Sequence, residues 1–226
     1  MKNYFTKFEL SLWAMSALLI VVSFVAFDRN NYLTLFTSLI GATSLIYNAK
    51  GNPFGQFLMV IFSILYGIIS YSFCYYGEMI TYMGMTGPMA FLALISWLKN
   101  PYQNNKAEVR ENHISKNEIW LMLVLTIVVT TAFYFVLKYF NTSYLLISTF
   151  SVATSFFAVY LTFRRSPYFA IAYAANDIVL IVLWLLASKT EFSYISVVIC
   201  FAAFLVNDLY GFYNWRNMEI RQRNSN

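Results

Sequence analysis

Charge is scarce in this chain. Lys, Arg, Asp and Glu make up 11% of its 226 residues, where an ordinary soluble domain carries about a quarter. With 60% hydrophobic residues beside that shortage, a soluble class is excluded and an integral membrane protein is expected. Cysteine is almost missing too. Cys74 and Cys200 both fall inside apolar runs, which excludes a disulfide framework and reads as two small core residues. The single histidine, His113, has no Cys or Asp beside it and reads as a solvated loop residue, not a metal ligand or general base. No GxSxG, HExxH or P-loop occurs, and neither does an Arg-rich helix nor a filter-like loop. No enzyme, cofactor or metal site is expected. The net charge of +5 does not imply nucleic acid, because the basic residues sit in short loops between apolar runs. What remains is a carrier or facilitator for a small solute.

Apolar segments long enough to cross a bilayer cover 8–27, 32–49, 54–74, 79–98, 118–140, 143–163, 168–188 and 193–214. The fold class is therefore all-α, with about eight transmembrane helices. The runs are continuous where a barrel strand would alternate. The first run follows Lys2 and Lys7 but has no small-residue cleavage site after it, so it is kept as a helix. With eight spans, 12 of the 15 basic residues fall on one side and Arg29, Lys138 and Lys189 on the other. That bias places both termini in the cytoplasm.

The chain also repeats itself. YLTLFTSLIGATSLIYNAKGNP from Tyr32 is similar to YLLISTFSVATSFFAVYLTFRRSP from Tyr144, with Ala42-Thr43-Ser44 matching Ala153-Thr154-Ser155. Each run ends in a polar turn with a proline, Pro53 or Pro167, and each unit closes on a tryptophan, Trp97 or Trp215. A single membrane domain (1–226) follows: an extra helix at 8–27 and a three-helix repeat at 32–98. A cytoplasmic linker (99–117) and a connecting helix (118–140) lead to the second repeat at 143–215. One helix between two three-helix units makes the repeat parallel, and such duplications place the solute site between the halves near mid-membrane.

The costliest residues lie in Ala170–Ser188. An aspartate at that depth costs about 2.5–3.5 kcal/mol on insertion scales and marks a site. At helical spacing Tyr173, Asp177, Leu180 and Trp184 share one stripe with Asn176 at its edge, a face suited to a flat, polar, aromatic solute. Counted from the prolines, Asp177 has Ser63 as its counterpart, so recognition is expected mostly from the second half. Asn207 and Asp208 form a second Asn-Asp pair, which either binds solute or holds helices together, and Gly211 beside them permits close approach. Gly51 and Gly55 read as a turn around Pro53. Gln56 either caps that turn or reaches a solute. Pro88, with Gly84 and Gly87, should kink its helix. Tyr66, Tyr71, Tyr82 and the methionines at 83, 85 and 89 read as packing or interface residues.

The stretches RRSPYFAIAYAANDIVLIVLWLLAS, NDLYGFYNW, NAKGNPFGQ and YGIISYSFCYYGEMITYMGM together resemble the PnuC family of bacterial vitamin transporters. The resemblance runs from about Leu10 to Met218, and NDxYGxxxW is its most distinctive part. It implies a 3+1+3 helix core related to SWEET transporters, an added N-terminal helix, a homotrimer and residence in the bacterial inner membrane. It also implies facilitated diffusion of nicotinamide riboside, trapped by intracellular phosphorylation for NAD synthesis. Tyr173 and Trp184 would stack on the pyridine ring, and Asn176 and Gln56 would hydrogen-bond its carboxamide or the ribose. Asp177 would balance the ring's charge, and Asn207 and Asp208 would serve the ribose. Many members carry tryptophans just ahead of the acidic position where this chain has Tyr168, Phe169 and Tyr173. Thiamine, another cationic ring, is the alternative solute, and a receptor that binds a nucleoside without moving it is the alternative class.

Overall fold

The structure, a computed structural model, describes residues 4–72 and 75–225; Lys2 and Cys74 lie outside them. The first helix, α1 (Lys7–Phe27), starts at a capping box in which Thr6 and Glu9 each take the other's backbone N–H. Then come α2 (Tyr32–Ala49), α3 (Pro53–Ser72) and a broken span. That span runs as α4 (Tyr76–Thr81), a π turn (Tyr82–Thr86) and α5 (Gly87–Lys99). The break is the kink expected from Pro88. Proline has no N–H and crowds the carbonyl four residues back, so the ladder widens and Gly87 N–H bonds to Tyr82 O instead.

Beyond a short hairpin, β1 (Pro101–Tyr102) and β2 (Asn105–Val109), the chain forms α6 (Lys116–Tyr139), α7 (Leu145–Phe163) and α8 (Phe169–Ala187). The last helix is α9 (Ile195–Asn224), entered through a 3-10 turn at Phe192–Tyr194. Among the described residues seven spans are long and apolar enough to cross a membrane. The helix not among the seven is α2, whose Thr34, Thr37, Ser38, Ser44 and Asn48 are buried inside the bundle. Its polarity faces protein, not lipid.

The internal repeat is legible in the backbone. Gly51 and Arg165, at equivalent places in the α2–α3 and α7–α8 turns, both take left-handed φ values, 66° and 57°. Both turns close alike. Gly51 N bonds Asn48 O at 2.9 Å and Arg165 N bonds Thr162 O at 3.0 Å. Asn52 N to Tyr47 O and Ser166 N to Leu161 O are both 3.0 Å. The units α2–α5 and α7–α9 then meet along two matching seams, α2 on α9 and α5 on α7, while α1 lies against α9 and α2. Each seam joins the first helix of one unit to the last helix of the other.

The N-terminus, both turns, the linker and the end of α9 gather at one end of the bundle. Glu9 shows how α1 is fastened there: fully buried, it takes Lys50 Nζ at 3.0 Å and Tyr210 Oη at 2.9 Å.

Candidate functional site

Between the units, toward the end away from the linker, aromatic rings converge. Tyr66 and Tyr82 stand 4.3 Å apart by ring centroids, and Trp184 meets Tyr66 edge-on at 6.5 Å. Tyr75 lies 5.0 Å from Trp184, and Phe62 and Phe201 pack against Tyr66 at 5.5 and 6.0 Å. Tyr66 and Tyr82, expected as packing residues, are buried here together with Trp184. Tyr71 and Met83 do face outward.

Lipid tails are as apolar as leucine, so burial of rings gives little drive for helices to associate in a membrane. Polar groups in this core must therefore be satisfied or serve a purpose. Several are poorly satisfied: Thr34 Oγ1 and Thr37 Oγ1 have no hydrogen-bond partner among the described residues, and Tyr66 has the Trp184 side chain within reach. The cavity bordered by Thr34, Thr37, Tyr66, Trp184 and Cys200 is about 10 Å³, barely one water. The rings fill the space themselves.

Asp177 and Asp208 come together. One from α8 and one from α9, both buried, their carboxyl groups lie within hydrogen-bonding reach of each other. Between the units a third buried carboxyl, missed in the sequence because it falls near a helix start, is Glu78 on α4, 2% exposed. Ser151 donates to its Oε1 at 3.4 Å, and its Oε2 has no donor among the described residues. The first unit thus contributes a carboxyl after all, while Ser63 turns its hydroxyl to Met59 O at 2.8 Å on its own helix. Among the described residues no Lys, Arg or His is buried.

Other sequence-derived candidates lie elsewhere. Tyr173 and Trp184 share a helical stripe but not a depth, since eleven residues rise about 16 Å. Tyr173 packs in the lower cluster with Phe169 and Trp215, Trp184 in the upper one, so the two do not sandwich one ring. Tyr173 instead stands within reach of Thr162, Asp177 and Asp208. Asn176 Oδ1 is occupied by Thr154 and Ser155 hydroxyls at 2.7 and 2.9 Å. It pins α8 to the Ala-Thr-Ser triplet of α7. Gln56 donates to Asn48 Oδ1 at 2.9 Å in the first turn of α3, near the linker end. Asn207 donates to Ser16 Oγ on α1 at 2.8 Å and keeps Oδ1 unpartnered among the described residues. Gly211 brings α9 against Ala170 and Ala49.

The linker end is closed by paired devices. Trp97 Nε1 donates to Thr162 O at 2.9 Å, and Trp215 Nε1 donates to Asn48 O at 2.7 Å. Across them lies the linker, whose Val109 N reaches Gly51 O at 2.9 Å and whose Asn112 N reaches Arg165 O at 3.1 Å. Gln222 near the end of α9 holds the linker through Glu111 N and Val109 O at 2.9 and 3.1 Å.

Two further features lie off this axis. A cavity of about 600 Å³ bordered by Met122, Phe157 and Ile171 is an apolar groove between α6, α7 and α8, with none of the buried carboxyls in its lining. His113 is exposed, as expected of a loop residue. With Glu111 and Glu219 it forms a cluster whose ligand atoms lie within 4.8 Å. Arg216 and Arg223 already pair with Glu219 there.

Comparison with known proteins agrees with this architecture. A family model described as nicotinamide mononucleotide transporter matches residues 31–217. The nicotinamide riboside transporter PnuC of Neisseria mucosa is 25% identical over 218 residues, covering 94% of this chain and 82% of the relative. The crystal structure of the vitamin B3 transporter PnuC superposes with a TM-score of 0.83 at 22% identity, covering 96% of this chain and 94% of that one.

Proposed function

This chain belongs to the nicotinamide mononucleotide transporter family, and on that premise we propose that it carries nicotinamide riboside across the bacterial inner membrane by facilitated diffusion. One observation carries the choice of the riboside: the space between the units offers aromatic rings and three buried carboxyls, with no buried cation among the described residues. A pyridinium ring is attracted by ring faces and by carboxyl groups. The mononucleotide adds a phosphate with a charge of about −1.5 to −2, which would meet like charge and no counter-ion.

In this reading Trp184 stacks on the pyridine ring, with Tyr66 and Tyr82 in the place expected of Tyr173. Asp177, beside Asp208, faces the ring's charge, and the unpartnered Oδ1 of Asn207 accepts from the carboxamide or ribose. Gln56 acts at the exit, and Asn176 drops out of the binding set. The 12-to-3 basic bias sets the linker end in the cytoplasm. The homotrimer that the resemblance implies would use outward faces such as that of α6, which is sparsely covered within one chain. Phosphorylation inside the cell would trap the product, so no coupling ion is needed.

Uptake of labelled nicotinamide riboside into proteoliposomes tests this. It should be lost in Asp177→Ala and Trp184→Ala, and intact uptake in both would overturn the site. Uptake should be equal with and without a proton or sodium gradient. The same chemistry suits thiamine's cationic thiazolium, so thiamine and the mononucleotide belong in the competition panel; the stronger competitor is the substrate. Binding without accumulation would mark a receptor.

A further inference from the structure

We propose that Glu78 is the charge-selecting residue of this carrier, a role that rests on the riboside reading and adds a residue to it. Its carboxyl lies at a different depth from the aspartate pair. Asp177 sits about midway along the 19-residue α8, whereas Glu78 is the third residue of α4, at the end away from the linker. Tyr82, one turn after Glu78, stands within electrostatic reach of both Glu78 and Asp177, and Tyr66 also faces Glu78. Carboxyls at two depths therefore lie within electrostatic reach of these rings.

The carboxyl does little for the fold. Ser151 is its one hydrogen-bond partner among the described residues, at 3.4 Å, and a glutamine would accept that bond equally well. Oε2 is buried and unpartnered among the described residues. A buried carboxyl without a cation is costly and is normally paired. A visiting cationic ring between Tyr66, Tyr82 and Trp184 would supply the missing charge. Glu78 thus discriminates by charge, not by shape, and does so before the solute reaches Asp177.

Nicotinamide riboside offers a clean probe, because its reduced dihydropyridine form has nearly the same size and no ring charge. With the full chain in proteoliposomes, the cation should be preferred over the reduced form by about tenfold in uptake at limiting concentration. Glu78→Gln should lower that ratio severalfold by raising KM for the cation, with the reduced form unaffected, and what preference is left belongs to Asp177 and the ring faces. An unchanged ratio, or an equal fall for both forms, overturns the proposal. Glu78→Asp keeps the charge and should keep the preference; loss of preference there also counts against it. Ser151→Ala removes the neighbouring hydroxyl alone and should leave the ratio intact, whereas a loss matching that of Glu78→Gln would assign the effect to the α4–α7 contact. Wild-type protein that moves neither form overturns the riboside reading itself. A selective wild type with an equally selective Glu78→Gln overturns only the role of Glu78.

Discussion

The rings of Trp97 and Trp215 stand 5.3 Å apart, and each donates its indole N–H to a backbone carbonyl of the opposite unit. Trp97 belongs to the first unit and bonds Thr162 in the second; Trp215 belongs to the second and bonds Asn48 in the first. Each acceptor lies two residues before the cap of its helix, Arg164 or Lys50. The duplicated architecture has thus produced a reciprocal clasp at the end where the two seams meet.

Trp97→Phe and Trp215→Phe keep a ring and lose one inter-unit bond each. Interhelical hydrogen bonds in membranes average about 0.6 kcal/mol and reach about 1.7, so each variant should melt a few degrees lower. Because the rings touch, the double variant should depart from additivity. Additive losses measured by thermal melting in detergent would mean that the two bonds act independently.

Asn176→Ala should weaken the fold and leave recognition alone. Two hydroxyls, on Thr154 and Ser155, lose their shared acceptor, for a cost of about 1–3 kcal/mol. Lower melting with an unchanged KM for the riboside is the expected result. A raised KM in well-folded protein would return Asn176 to the binding site.

Gly55→Ala should be the more damaging of two glycine substitutions. A Cβ at Gly55 would sit 2.2 Å from Asn48 Oδ1 and 2.7 Å from the Asn48 backbone N, whereas at Gly67 it would meet the movable Met83 side chain. Forcing apart the α2–α3 turn costs about 1–3 kcal/mol and disturbs the carbonyl that holds Trp215. Melting curves that rank Gly67→Ala as equally harmful would contradict this account.

Asp28, at the outer end of α1, gives a pH signature. Burial, with the Glu191 charge nearby, pushes its carboxyl up from 3.8 to about 6. The folded chain then holds that proton more tightly than the unfolded chain. Its contribution favours folding at low pH and is lost as pH rises from about 4 to about 6. Solvent screening keeps the effect small. Asp28→Asn should flatten this part of the pH dependence of melting, and a slope equal to wild type would exclude Asp28 as its source.

Long apolar runs, the turn prolines and the closing tryptophans made the helices and the parallel repeat legible from residue order alone. Hydropathy periodicity reports which face of a helix a residue occupies but not which neighbour it meets. That is why Tyr173 and Trp184 looked like partners and are not. Asn176 looked available because its partners, Thr154 and Ser155, lie more than 20 residues away on another helix. Glu78 looked like a helix-end acid because Pro88 announces a break in its helix but not which side chains the broken helix buries. The meeting of Asp177 with Asp208 needed the packing of α8 on α9.

The linker bonds one unit at Val109 and the other at Asn112, three residues on. Three residues of fully extended chain reach about 10 Å, so while both bonds hold, that length caps how far the Gly51 and Arg165 turns can separate. Beyond that span one bond must let go before the turns can part further, which makes the linker a short tether between the two units.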